Sequence, residues 1–410
     1  MSITISKSHI GQASGTDNVL LSGRTINNNG FFPFKNRLIN GDFSVNQISS
    51  TNATNNTTTR AFPIDRWWIQ GSAASKFSAQ IVNDGPDTAT QYYASSRPFT
   101  SVYAPINFRK CIELKSLANT TLGSTDIYAF GQNIEGRFIS DMCFGESPFG
   151  STLYFTLSFW VKASQTGYYS VRLQNGPSDR ITHRTFTVNT ANTWEFVEIV
   201  FPVDATGTWR NNIETGLRVT FNLGIGTSYR GTSGLSAWIN SSSQLCDVTA
   251  VHLVNTLNAT IRLTGMQLEF IGQVPSNYYA SVFEKRDFSE ELGLCLRYFQ
   301  KSYAYDVLPG TTYTIAGMLL HTDMQYSSVQ HYNFWRWAGG PMRANPTVTL
   351  YSYMGVEAAC TLWDTNISPI GSAFGAAVAG TSKYGAMFYT TSGTAHTLEG
   401  FHYMANAEPS

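Results

Sequence analysis

Tyr229 and Trp238 stand in the stretch GIGTSYRGTSGLSAWINSSSQ (224–244), surrounded by Gly, Ser and Thr. Tyr168 and Tyr169 in SQTGYYSV, and Trp209 in TGTWRNN, have similar neighbours. A flat aromatic ring beside hydroxyl and amide groups is the combination that meets the C–H face and the hydroxyls of a sugar ring. These residues form the candidate carbohydrate-binding set, on loops that a rigid framework would hold. The same rings would equally pack loops onto a core or fill a seam between subunits, and the sequence leaves that open.

Other chemistries find less support. Glu135, Asp141 and Glu146 in QNIEGRFISDMCFGE are a mild cluster of acids. Glycoside hydrolysis wants two carboxylates about 5–10 Å apart across the bond. With 27 acidic residues in 410, such a cluster arises by chance, and no GxSxG, HExxH or P-loop accompanies it. No catalytic residue is assigned, and the chain is read as a non-enzyme. Asp42 and Glu269 could each offer oxygen to a structural calcium ion, but calcium takes about six or more ligands. Ordinary hydrogen bonding is the expectation for both, with no metal and no cofactor. Cys111, Cys143, Cys246, Cys295 and Cys360 show no zinc spacing and read as free, buried thiols.

The 27 basic and 27 acidic residues cancel, and no basic run exceeds a pair. A nucleic-acid backbone has nothing to engage. Charged residues make up 13%, about half the usual share of roughly 25%, and Ser, Thr, Asn, Gln and Gly fill the deficit. Aromatics at 14% exclude a disordered chain. No apolar stretch is long enough to span a bilayer, and MSITISKSHIGQASG lacks the apolar centre of a secretory signal. Synthesis in the cytoplasm without membrane insertion is therefore expected.

Period-two patterns supply the elements that would position these groups. LRVTFNL (217–223) sends Leu217, Val219, Phe221 and Leu223 to one face and Arg218, Thr220 and Asn222 to the other. LYFTLSFWV (153–161) and FVEIVF (196–201) alternate in the same way. In TIRLTGMQLEF (260–270) the apolar parity switches at Gly265, the mark of a β-bulge. NRLINGDFSVNQ (36–47) reads as a turn between two extended pieces, and Trp67 rather than Trp68 as the core residue of DRWW. Leu292, Cys295, Leu296 and Phe299 predict a helix over 287–302, with Asp287 and Glu290 as a capping box and Lys301 near its C-terminal end. PTVTLYS (346–352) and SKYGAMFYTTS (382–392) predict further strands, and residues 405–410 a loose tail. Trp335 and Trp337 share a strand face, expected at a contact between subunits. The fold class is thus all-β: an antiparallel β-sandwich, which the resemblance below makes a jelly roll, then a short helix and a second, smaller C-terminal β domain.

In order and spacing, NRLINGDFSVNQ, DRWW, LSFWVKAS, WEFVEIVF and GMQLEF, then FEKRDFSEELGLCLRYFQKSY and PMRANPTVTLYS, resemble phage tail-fibre and receptor-binding proteins. The resemblance covers roughly residues 36–352. It implies a central domain like a carbohydrate-binding-module jelly roll, with NGDF and QLE as adjacent edge strands that close it. It divides the chain into an N-terminal virion-docking arm (1–35), a jelly-roll domain (36–282), a helical hinge (283–303) and a C-terminal β domain (304–410). It also implies a homotrimer bound to other virion proteins through the arm and to host surface polysaccharide. A head fibre, collar spike or capsid decoration protein, and a glycan-degrading tailspike enzyme, are the alternatives.

Overall fold

Apolar residues at every second position build two facing antiparallel sheets. The computed structural model describes residues 19–21, 24–26, 34–48, 53–87, 107–147, 152–232, 234–273, 280–322, 330–363, 369, 374–391 and 398–409. The sandwich strands are β1 (Thr54–Asn55), β2 (Ala61–Ile64), β3 (Trp67–Gly71), β4 (Phe77–Val82), β5 (Cys111–Ser116), β6 (Ile127–Glu135) and β7 (Tyr154–Ala163). They continue with β8 (Gly167–Asn175), β9 (Arg180–Val188), β10 (Glu195–Pro202), β11 (Thr215–Ile225), β12 (Ile239–Asn240) and β13 (Thr260–Gly272). One sheet runs β12-β9-β8-β11-β6-β3-β2, the other β10-β7-β13-β5-β4-β1.

Phe155, Leu157, Phe159 and Val161 of β7 and Leu217, Val219, Phe221 and Leu223 of β11 fill one core between the layers. Phe159 meets Phe221 edge to face at 5.1 Å. Each such side chain contributes about 1.5–3 kcal/mol by leaving water. Trp67 belongs to this core, stacked on Phe130 at 5.0 Å, while Trp68 faces outward, as strand alternation requires.

The two segments that were expected to lie together do so. Phe43 and Leu268 share the core. Arg37 N–H donates to Leu268 O at 2.8 Å, and Met266 N–H to Gly41 O at 2.9 Å. A Cβ at Gly41 would stand 2.1 Å from Met266 O, so only glycine lets the chains approach this closely. One detail differs. β13 is interior, flanked by β7 throughout and by β5 only over Thr260–Leu263. At the bulge Gly265 takes a φ of +61°, and beyond it residues 36–41 occupy the edge that β5 leaves, without forming a regular strand.

Beyond the sandwich, helix α1 (Phe288–Leu296) leads into β14 (Phe299–Lys301), β15 (Leu319–Thr322), β16 (Gln330–Arg336), β17 (Thr347–Tyr351), β18 (Ala359–Trp363), β19 (Phe374–Ser382), β20 (Gly385–Thr391) and β21 (Leu398–Asn406). The helix is shorter than predicted because residues 299–301 pair with β21 instead. Asp287 makes no side-chain cap; Glu291 accepts from Asn40 N–H and pairs with Arg286, which ties the helix to the sandwich. Lys301 lies in a strand, its Nζ donating to Gln47 O, Tyr305 O and Val307 O at 2.7–2.9 Å.

The C-terminal end corrects a second expectation. Residues 405–409 do not hang free: β21 pairs with β14, β15, β17 and β18, and Glu408 forms a buried ion pair with Arg66. Asn133 Nδ2 donates to Pro409 O at 2.9 Å. Trp335 and Trp337 do share a face, but it is the inner one. Trp337 is buried beside Tyr403, and Trp335 packs on Phe401. The N-terminal arm lies mostly outside the described residues, which there include an antiparallel pair, Val19–Leu21 with Arg24–Ile26. Phe34 and Lys35 are fastened to the sandwich, Phe34 on Phe138 at 5.2 Å and Lys35 to Glu269 at 3.2 Å.

Candidate functional site

Since Val171 and Leu173 of β8 and Leu217, Val219 and Phe221 of β11 point into the core, their neighbours point out. The register then lays the outward residues side by side. Arg172 pairs with Thr220, Thr220 with Gly131, and Gly131 with Trp68, a row that crosses four strands. The next row holds Gln174, Arg218 and Asn133. A cleft of about 520 Å³ opens above them, lined by Arg60, Trp68, Gln70, Arg172, Gln174, Arg218 and Thr220, with Ser72, Ser178 and Ser242 among its other residues.

Gly131 makes the floor possible. A Cβ there would meet Trp68 Cζ2 at 2.8 Å and Val219 O at 2.4 Å, so its absence lets the indole lie across the sheet. Trp68 Nε1 donates to Asn133 Oδ1 at 3.2 Å, and the Arg60 guanidinium caps the ring at 4.7 Å. The lining supplies hydroxyls, amides and guanidinium groups, and no carboxylate.

Its electrostatics are one-sided. Arg172 is only 7% exposed, and its Nε has no hydrogen-bond partner. Burial, against an opposing effect of Cys246 and helped less by the Arg218 and Arg60 charges, pulls its pKa down to about 10. Burial and then the Arg60 and Arg210 charges do the same to Arg218, also to about 10. Arg218 Nη1 donates to Asn175 O at 3.1 Å and Ser178 Oγ at 2.6 Å, both neutral. Arg60 is lowered by burial, against the pull of Glu408.

None of the aromatics nominated from sequence lines this cleft. Tyr169 lies in the core, stacked on Phe186 at 5.7 Å; burial pushes its phenol up to about 12, and its hydroxyl donates to Gln165 O. Trp238 is 8% exposed, edge-on to Trp209 at 5.1 Å, and its Nε1 donates to Pro202 O at 2.8 Å. Trp209 in turn stacks on Phe144 at 4.0 Å. Tyr229 is half-buried against Ile225, Cys246 and Ala250. Tyr168 alone is open, at 52%, on the cleft's sheet face but beside Val251, whose N–H donates to Tyr168 O. Trp209 and Trp238 thus pack loops onto the core, the other role their composition allowed, and Tyr169 is a core residue of β8. The residues that reasoning on aromatics missed, Arg172, Gln174, Arg218 and Thr220, are the polar alternates of the strands themselves.

The acids have other partners. Glu135 is buried and held by Arg297 through two contacts of 2.9 Å, and Asp141 is paired with Arg37. Glu146 is exposed. Asp42 pairs with Lys285, and Glu269 accepts from Ser281 N–H and Oγ–H at 2.7 and 2.6 Å. Among the described residues no group of three His, Cys, Asp or Glu side chains stands ready for a metal ion, and none of the cysteines is in a disulfide.

No protein-family model and no curated protein matches the chain. Among solved structures it is similar to the enzymatically active domain of tailspike protein 4 from bacteriophage CBA120, at 14% identity and TM-score 0.30, over 58% of this chain and 22% of that one. It is similar to a CBM4 structure at 15% identity and TM-score 0.25, over 57% and 98% of the two chains. A family 11 carbohydrate-binding module from Clostridium thermocellum, in complex with a mixed-linked tetrasaccharide, gives 10% identity and TM-score 0.25, over 55% and 99%. Likeness at this level carries no weight for function; the sandwich stands on its own strand pairing.

Proposed function

We propose that this chain is a virion structural protein, a homotrimeric fibre or spike that binds host-surface glycan in the cleft on the outer face of the seven-stranded sheet. The observation that carries the binding half is the cleft itself. It is open, about 520 Å³, and walled by Gln70, Gln174, Thr220 and Ser242 beside an indole, groups suited to sugar hydroxyls. With no carboxylate in its lining, an acid–base pair for glycoside cleavage has no place there, which favours binding over hydrolysis.

The fibre half rests on the order of motifs over residues 36–352 and on the surface of the C-terminal domain. Tyr313, Ile315, Tyr332, Phe334, Val356 and Tyr384 are all at least half exposed, an apolar display suited to burial between copies. Three weak sites on one trimer would add through effective concentration. A glycan array probed with the full chain tests the binding half. Wild type binds saccharide and the Gln70→Trp, Ser242→Trp variant, which fills the cleft mouth, does not. An array with no saccharide bound, or equal binding by both proteins, overturns it.

A further inference from the structure

Resting on that cleft as the glycan site, we propose that its ligand is an acidic saccharide, one that presents a carboxylate or sulfate to Arg172, Arg218 and Arg60. Three guanidinium groups line one small cleft on a chain whose 27 basic and 27 acidic residues cancel. Several arginines elsewhere meet acids: Arg180 with Asp204, Arg262 with Glu113, Arg297 with Glu135, Arg66 with Glu408. In the cleft no carboxylate is in the lining, and Arg172 and Arg218 feel the charges of neighbouring guanidinium groups, while of the three cleft arginines Arg60 feels an acid, Glu408. Arg172 is over nine-tenths buried with no acid in the lining around it, although an unpaired buried charge is costly. A bound anion would supply the missing partner, and the planar guanidinium fork suits a carboxylate or sulfate through paired N–H···O bonds.

The register makes the arrangement specific. Arg172 and Gln174 alternate on β8, and Arg218 lies directly across from Gln174 on β11, so an amide stands within the cationic group. Gln174 and Thr220 are placed to take neutral hydroxyls of the same sugar while the guanidinium groups hold its acid.

The experiment is a matched panel read by titration with the full chain. It contains galacturonate, glucuronate and sialic-acid oligosaccharides, their carboxyl-reduced or neutral counterparts, and sulfated galactans. The expected result is at least tenfold tighter binding to one acidic class than to its neutral match. That affinity falls as salt rises, and Arg172→Gln loses it while the folded state stays intact by circular dichroism. Preference for carboxylate over sulfate, or the reverse, identifies the source of the anion. Equal affinity for acidic and neutral matches, or an Arg172→Gln protein that binds as wild type, overturns the charge proposal and leaves the cleft as a neutral-sugar site. Binding to nothing in the panel, acidic or neutral, removes both this proposal and the glycan reading beneath it.

Discussion

Arg172 shows how much a single side chain can reveal. It is 7% exposed and carries its charge with no carboxylate in the lining of the cleft, an arrangement that costs stability. Arg172→Gln is therefore expected to raise the melting temperature, by the equivalent of about 1 kcal/mol or more, in thermal scans without ligand. Trp238→Ala should act in the opposite sense. It empties a buried site beside Trp209 and Phe144 and leaves Pro202 O without its donor, at a cost of about 3–5 kcal/mol. Tyr168→Ala, on an open side chain, should change stability by less than about 0.5 kcal/mol in the same scans. His252 gives a pH signature. Burial, and then the Arg230 charge, lower its pKa from 6.5 to about 4, and neither ring nitrogen has a hydrogen-bond partner. The unfolded chain takes the proton first, so the contribution is complete above pH 6.5 and is lost as pH falls from there towards 4. Melting temperatures measured across that interval should fall, and His252→Gln should flatten the slope.

Among the elements, those with strong alternation were readable in advance and those fixed by distant partners were not. LRVTFNL, FVEIVF and the parity switch at Gly265 appear as β11, β10 and the bulge of β13, because a half-buried strand writes its two faces into adjacent residues. The helix ends sooner than its periodicity implies, since a local pattern cannot register that Phe299–Lys301 pairs with β21 about a hundred residues on. The polar tail looked loose for the same reason: its anchor, Arg66, is 342 positions away. The cleft is not legible locally because its strand residues come from β3, β6, β8 and β11 and become neighbours only through register. Arg218 and Thr220 were already legible as the outward set of their strand, and a search of outward polar alternates, instead of loop aromatics, would have reached them. At this scale the tail clamp is the testable feature. Arg66 is buried, stacks over Tyr298 at 3.4 Å and donates to Asn133 O at 2.6 Å. Glu408→Ala strands that charge and should destabilise the protein by about 3–5 kcal/mol in denaturant titrations. A loss under about 1 kcal/mol would show that the tail does not hold the domains together.

The whole molecule joins two bodies of unlike surface. The sandwich leaves Tyr168, Val248 and Leu257 among its exposed apolar side chains, whereas the C-terminal domain gathers Tyr332 and Phe334 of β16 and Met387 of β20 on one outward sheet face, with Tyr384 in the adjoining turn. That face is the natural seam of the proposed homotrimer. Light scattering should return the mass of three chains, and Phe334→Ser with Tyr384→Ser should shift it towards one; a wild-type mass of one chain would remove the fibre reading. Hydrogen–deuterium exchange of the full chain with its best-binding array saccharide measures the proposed glycan contact directly. Protection is predicted in the peptides that contain Arg172–Asn175 and Arg218–Thr220. Protection confined to the loop at 224–244, with those strands unchanged, would contradict it.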